Sequence, residues 1–290
     1  MKFIQILTFF ISPIRIFNRL KRDFNKLKVF FISKYAYKKK IANLINFLPL
    51  SEENHDLVVR LNYSSFGKKV IDDNLKLLSK NTMVTYTSLV YAHNLTLHVI
   101  KNKIPGDIVE TGCWKGGSAA VIYFALKKLK SNKKIYLYDS FMGLPNLTKH
   151  DLDDQAWNVK DDEFTGAMRP LESEALKSDF DEIKNFFFDT LKAKKSQIVI
   201  NKGWFVDSFQ NSNTKKIKKI SLLRLDADLY ESTKISLETF YERVERGGVI
   251  IVDDYSLPGC KKACIEFFKK NKIKPLLIPI DGVSAFFIKM

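Results

Sequence analysis

Cysteine is scarce, with three in 290 residues at positions 113, 260 and 264. So few, and an odd number, cannot form a disulfide scaffold, and the composition suits a reducing compartment. Cys260 and Cys264 lie one helical turn apart, but no second pair completes a zinc site. Histidine is nearly as rare, and His55, His93 and His98 have no partner pattern. There is no internal repeat and no linker rich in glycine, serine or proline. No predominantly apolar run reaches the ~20 residues of a spanning helix. The uncharged stretch 3–14 (FIQILTFFISPI) is too short, and no small-x-small cleavage site follows it. Acidic side chains are missing from one region. Residues 1–50 hold 11 basic groups and one acid, Asp23, a net +10, while the other 240 residues carry 37 basic and 31 acidic groups, a net +6. The basic character therefore belongs to an N-terminal arm, and the chain as a whole does not read as a nucleic-acid binder.

What is present begins with that arm, residues 1–55. Ile14, Phe17, Leu20, Phe24, Leu27 and Phe31 recur at three- and four-residue steps, with Arg15, Arg19, Arg22, Lys26 and Lys28 between them. This pattern predicts a cationic amphipathic helix able to lie on an anionic lipid surface through residues 1–45, or to pack its apolar stripe on protein. A boundary is expected near 48–55 (LPLSEENH).

In the body, 56–290, strands and helices alternate. Strands are expected at 107–111, 135–139, 197–201, 220–226 and 249–254. Helices are expected within 75–102 and at 117–130, 232–245 (capped by Ser232 and Thr233) and 257–271. Two closing strands, PLLIPI and SAFFIK, turn at Asp281-Gly282, which places an antiparallel strand at the end of the sheet. The alternation means an α/β fold with a mostly parallel sheet covered on both faces.

DIVETGCWKGGSAAVIYFAL reads as strand, glycine turn and helix. Gly112, Gly116 and Gly117 let the backbone approach a ligand at a helix start. A Walker A loop is excluded, because Ser118 stands where its lysine belongs, and so is G-x-G-x-x-G, because position 114 is Trp. A nucleoside without phosphate is favoured over a phosphate. Asp139 ends the next strand and can accept ribose hydroxyls. Glu110 can take the amino group of an amino-acid-bearing ligand.

The strongest chemical signal lies in LLRLDADLYEST and VIIVDDY. Asp226, Asp228, Asp253 and Asp254 fall at the carboxyl ends of two parallel strands, where ligands bind. Four neighbouring carboxylates raise one another's pKa values, and a hard divalent cation relieves that conflict. Such an ion lowers the pKa of a substrate hydroxyl, and a remaining carboxylate can take the proton. The competing readings are that Asp254 or Ser256 merely caps the next helix, or that Asp226-Ala227-Asp228 is the D-x-D motif of a metal-dependent glycosyltransferase. A non-catalytic peripheral membrane protein is a third reading, resting on the arm.

VETGCWKGGS, YDSFMGLP, KGWF, LRLDADLYEST and GGVIIVDDYSLPGC, in this order, resemble the macrocin O-methyltransferase (TylF-type) family from about Asn81 to Lys270, with NTMV (81–84) resembling its lead-in helix. The resemblance implies a class I methyltransferase fold: a doubly wound, Rossmann-like, mostly parallel seven-stranded sheet with an antiparallel final strand. It implies transfer of a methyl group from S-adenosyl-L-methionine to a sugar hydroxyl, assisted by Mg²⁺. By position, Glu110 and the 112–118 turn, with Ser118, would hold the methionine part of the donor. Thr82 and Met83 would close over that end. Asp139 would take the ribose with Ser140 and Phe141 beside it, and Gly203-Trp204 would flank the adenine. Asp228, Asp253 and Asp254 would hold Mg²⁺, and Asp226 would be the general base. Residues 148–190 match poorly and are expected to cover the acceptor, where His150 can assist. The implied partners are a sugar or glycan acceptor and a second copy of the chain in a homo-oligomer. The implied location is cytoplasmic, at the inner face of the cytoplasmic membrane if the arm binds lipid.

Overall fold

A computed structural model describes residues 65–152 and 176–290, all within a unit running from Arg60 to Met290. The expected arm, its amphipathic helix, the 48–55 boundary and residues 153–175 of the segment expected to cover the acceptor lie outside the described residues.

Three helices come first: α1 (Ser65–Asp73), α2 (Leu75–Leu78) and α3 (Tyr86–Lys101). NTMV forms the turn between α2 and α3 rather than a helix. The reason is local: Thr85 caps α3 by accepting the Ser88 amide at 3.1 Å, so the helix starts after it. Then follow β1 (Asp107–Thr111), α4 (Gly117–Lys128), β2 (Ile135–Asp139), α5 (Phe180–Asn185) with a π-turn at Phe186–Thr190, and β3 (Ile198–Lys202). After α6 (Phe205–Ser208) and α7 (Ser212–Lys216) come β4 (Ile220–Leu225), α8 (Tyr230–Phe240), β5 (Val244–Val252), α9 (Pro258–Lys270), β6 (Ile278–Pro279) and β7 (Ala285–Ile288).

The seven strands lie in the order β3-β2-β1-β4-β5-β7-β6. β3, β2, β1, β4 and β5 are parallel, and β7 runs antiparallel between β5 and β6. The sheet is therefore doubly wound, with its order reversing between β1 and β4. The expected antiparallel strand is present, but it is inserted beside β5, and the short β6 forms the edge. Asp281 sets the final turn by accepting the amides of Val283 and Ser284 at 2.8 and 2.7 Å. β1, β2 and β4 are mostly apolar on both faces, as burial on both sides requires, and the polar Glu110 and Arg224 within β1 and β4 are themselves buried. Ile108, Leu137, Leu222 and Leu223 are wholly buried.

Boundaries differ from expectation around α8 and β5. α8 spans Tyr230–Phe240 rather than 232–245, with Leu229 rather than Ser232 or Thr233 at its cap. Thr233 is buried inside the helix, and Ser232 offers its carbonyl to Ser236 Oγ at 2.7 Å. β5 begins at Val244, earlier than expected, and stops at Val252, so Asp253 and Asp254 lie just beyond it. α9 has Leu257 at its cap and no side-chain cap, which removes the capping explanation for Asp254 and Ser256.

Candidate functional site

The β1–α4 turn is shaped by two close approaches. Gly112 has φ +80°, and a Cβ there would lie 1.6 Å from the Asp226 carbonyl oxygen, so only glycine fits. A Cβ on Gly117 would lie 2.6 Å from both the Asn81 carbonyl oxygen and Thr82 Cβ, which brings the 81–83 turn onto the start of α4. The turn's amides at 113, 114, 116 and 117 are satisfied internally. Cys113 and Trp114 donate to Asp139 Oδ2 at 2.9 and 2.8 Å, Gly116 donates to the Cys113 carbonyl at 2.7 Å, and Gly117 to the Asn81 carbonyl at 2.8 Å. An anion therefore has no ready cradle here, in keeping with a donor lacking phosphate. Asp139 Oδ1 accepts the Phe141 amide at 2.8 Å and keeps lone-pair capacity toward a ligand. Burial raises the Asp139 pKa, and these amides oppose the rise.

On the other side of β1 the site is built from charge. Arg224 of β4 is wholly buried and pairs in register with Glu110 of β1. Its Nη1 donates to Glu110 Oε1 and Asp226 Oδ2, both at 2.6 Å. Its Nη2 lies 2.8 Å from Asp253 Oδ1, close enough for charge pairing but not aligned as a hydrogen bond. Ser118 Oγ donates to Glu110 Oε1 at 2.5 Å. Glu110 thus faces inward and does not line the cavity. Its expected contact with a donor amino group gives way to Arg224, because a buried carboxylate needs a counter-charge. Asp253 Oδ1 also accepts from Ser88 Oγ at 3.1 Å and Ser284 Oγ at 3.3 Å.

One guanidinium serves more acids than it can balance. Asp226, Asp228 and Asp254 each offer an oxygen, and these atoms lie within 4.8 Å of one another. Asp254 Oδ2 accepts the Asp228 amide at 3.1 Å. Burial raises all three pKa values and neighbouring carboxylates add to the rise; for Asp228, brought to about 6, those neighbours are Asp253 and Asp139. Oxygen donors with surplus negative charge suit a hard divalent cation, so the residues fit the implied Mg²⁺. The expected ligand set is Asp228, Asp253 and Asp254 with Asp226 apart. The structure instead groups Asp226, Asp228 and Asp254, and holds Asp253 with Arg224, Ser88 and Ser284.

Both sides open into one cavity of about 520 Å³, within the usual range for a small-molecule site. Thr82, Met83, Gly112, Ser118, Asp139, Ser140 and Trp204 line it, as do Asp226, Asp228, Asp253 and Asp254. Gly116, Gly117 and Gly203 do not. Gly116 shapes the turn at φ +83°, and Gly203 turns the chain at φ +134° ahead of Trp204. Trp204 is exposed at the rim, so its indole face is free to stack. His150 packs its ring on Tyr230 at 4.3 Å and is not in the lining. The sequence reading missed Arg224, Ser88, Ser284 and Asp151. Arg224 carried a signal, a lone cation inside the apolar run ISLLRL with an acid two residues on.

Comparison with known proteins follows this geometry. The family model described as Macrocin-O-methyltransferase (TylF) matches residues 34–289. The match reaches back into the segment read as the arm. The demethyldecarbamoylnovobiocin O-methyltransferase of Streptomyces niveus is 33% identical over 213 residues, 71% of this chain and 74% of that protein. The 8-demethyl-8-(2,3-dimethoxy-alpha-L-rhamnosyl)-tetracenomycin-C 4'-O-methyltransferase of Streptomyces olivaceus is 30% identical, covering 65% of this chain and 67% of that protein. The solved structure of the O-methyltransferase NovP superposes with a TM-score of 0.61 at 29% identity, covering 72% of this chain and 82% of that one.

Proposed function

The chain belongs to the macrocin-O-methyltransferase (TylF) family, and from that premise we propose that it transfers the methyl group of S-adenosyl-L-methionine to a hydroxyl of a sugar or glycosylated acceptor with the help of Mg²⁺. The observation that carries this reading is the single cavity joining the glycine turn and Asp139 to the acids of β4 and β5. Among the relatives' acceptors, demethyldecarbamoylnovobiocin and a rhamnosyl tetracenomycin, the second supports a glycosylated acceptor. The D-x-D glycosyltransferase reading is set aside with the family.

Methyl transfer from a sulfonium is an in-line displacement, so the protein's main task is alignment. Asp139 takes the ribose, Trp204 stacks on the adenine, and Thr82 and Met83 close over the methionine end. Asp226 and Asp254 would hold Mg²⁺, and an ion bound there would lower the pKa of the acceptor hydroxyl. Arg224 fixes the direction of Asp226 and Asp253. The guanidinium occupies Asp226 Oδ2 at 2.6 Å, whereas no lysine or arginine pairs with Asp228 among the described residues. Asp228, with its pKa raised to about 6, therefore takes the acceptor proton, in place of the Asp226 expected from resemblance. An ionised base of raised pKa draws the proton more strongly. Asp254 supports it by accepting its amide.

The test is calorimetric titration with S-adenosyl-L-methionine, followed by incubation of labelled donor with a host glycan extract. One-to-one binding and label in sugar O-methyl groups are expected; no binding at millimolar donor contradicts the reading. The +10 segment supports a further element, contact of residues 1–45 with an anionic membrane at its cytoplasmic face. Deleting those residues is expected to abolish sedimentation with anionic liposomes, and unchanged sedimentation contradicts it. Light scattering tests the homo-oligomer that the family likeness supports, and a monomer mass rejects it.

A further inference from the structure

The turn at 148–151 meets the starts of α8 and α9 at one buried carboxylate, Asp151, which is 3% exposed. Its Oδ1 accepts the Tyr230 amide at 2.7 Å. Its Oδ2 accepts the Thr148 amide at 2.9 Å and Thr148 Oγ1 at 2.7 Å. Neither α8 nor α9 has a side-chain cap of its own. Asp151 therefore supplies from a distant loop what Leu229 cannot, and the positive ends of both helices face it. The chain leaves it room. A Cβ on Gly259 would lie 2.0 Å from Asp151 Oδ1 and 3.1 Å from the Tyr230 nitrogen.

This junction sits directly behind the acids. Tyr230 follows the turn that carries Asp226 and Asp228, and Pro258 opens the helix that follows Asp254. Asp228 holds φ +53°, a conformation that an L residue keeps only when its surroundings enforce it. The geometry points to Asp151 as a positioning residue. By tying α8 to the 148–151 turn and wedging against Gly259 of α9, it sets the distance between the Asp226–Asp228 turn and Asp254, and so the spacing of the three carboxylates for a divalent cation. Nothing in the chemistry of methyl transfer requires a fifth acid here, and Asp151 does not line the cavity. It hydrogen-bonds none of the clustered carboxylates and acts through the backbone that carries them, one step further out than the hydrogen-bonded partners behind metal sites. This inference rests on the Mg²⁺ reading above.

The test uses Mn²⁺ as the probe, because carboxylate sites take it in place of Mg²⁺ and its free ion is read directly by electron paramagnetic resonance. The full chain is expected to bind Mn²⁺, and Asp151→Ala to bind it about 10- to 100-fold more weakly, while calorimetric affinity for S-adenosylhomocysteine stays within about threefold. A residue that only caps helices would lower thermal stability and leave the Mn²⁺ affinity of the folded protein unchanged, and that result overturns the proposal. A native chain that takes up no Mn²⁺ overturns the metal reading itself, and this inference with it. Gly259→Ala pushes on the same carboxylate. Alone it is expected to weaken Mn²⁺ binding, and in the Asp151→Ala background to add nothing; losses that multiply overturn the shared mechanism. Should Asp151→Ala fail to fold, Thr148→Val removes one donor to Oδ2 and leaves the carboxylate in place. It is expected to weaken Mn²⁺ binding by a smaller factor, and unchanged affinity there overturns the proposal.

Discussion

At the end of β2 a single carboxylate, Asp139, is surrounded by backbone amides, whereas at the ends of β4 and β5 four carboxylates crowd together and one buried guanidinium pairs with two of them, Asp226 and Asp253, and with Glu110. The first arrangement is complete within the protein. Peptide dipoles hold Asp139 in place, and a neutral ligand can add to it without reorganisation. The second has more negative charge than Arg224 can balance, and burial first, with that surplus added, raises the pKa values of Asp226, Asp228 and Asp254. One side of the cavity is preformed for the donor, and the other is finished by a cation.

The sharpest way to separate the two sides is Asp228→Asn. Turnover is expected to fall by about 10²- to 10⁴-fold, the usual contribution of a positioned base, with S-adenosylhomocysteine affinity within a few-fold by calorimetry. Loss of donor binding would move Asp228 to the preformed side. Arg224→Met leaves Glu110, Asp226 and Asp253 without their counter-charge, and denaturant unfolding is expected to show a loss of about 3–5 kcal/mol. An unchanged midpoint would mean the acids do not depend on it. Asp139→Asn keeps the shape but weakens the charge-assisted acceptor, and donor affinity is expected to drop roughly tenfold with no change in Mn²⁺ affinity.

The smallest effect is a pH dependence. The Asp228 pKa is raised from 3.8 to about 6, so the folded chain holds that proton longer than the unfolded chain does. Without metal, stability from this group therefore falls as pH climbs through that interval. Metal binding displaces the proton and strengthens over the same range. The gain in melting temperature on adding Mg²⁺ is expected to grow from acid to neutral pH, and a gain independent of pH would contradict the proton competition.

The strands could be read from the sequence because burial on both faces leaves an apolar run, and 107–111 and 135–139 stand where the pattern puts them. The glycine turn was equally legible, since Gly112 answers a contact no side chain could tolerate. Helix starts were not. Ser232 and Thr233 look like caps, but the cap of α8 is Asp151, nearly eighty residues upstream, and no local pattern reports it. The four aspartates were found by type and spacing, yet their grouping was not. Asp253 and Asp254 are neighbours that point to different partners, and the residue deciding between them, Arg224, was hidden in an apolar run.

The most direct test is a crystal structure grown with S-adenosylhomocysteine and Mn²⁺, with the ion located by its anomalous scattering. The account predicts one peak within ligand distance of Asp226 and Asp254, beside Asp228, with the nucleoside ribose on Asp139 in the same cavity. A peak at any other group of side chains, or a nucleoside bound away from Asp139, would contradict it.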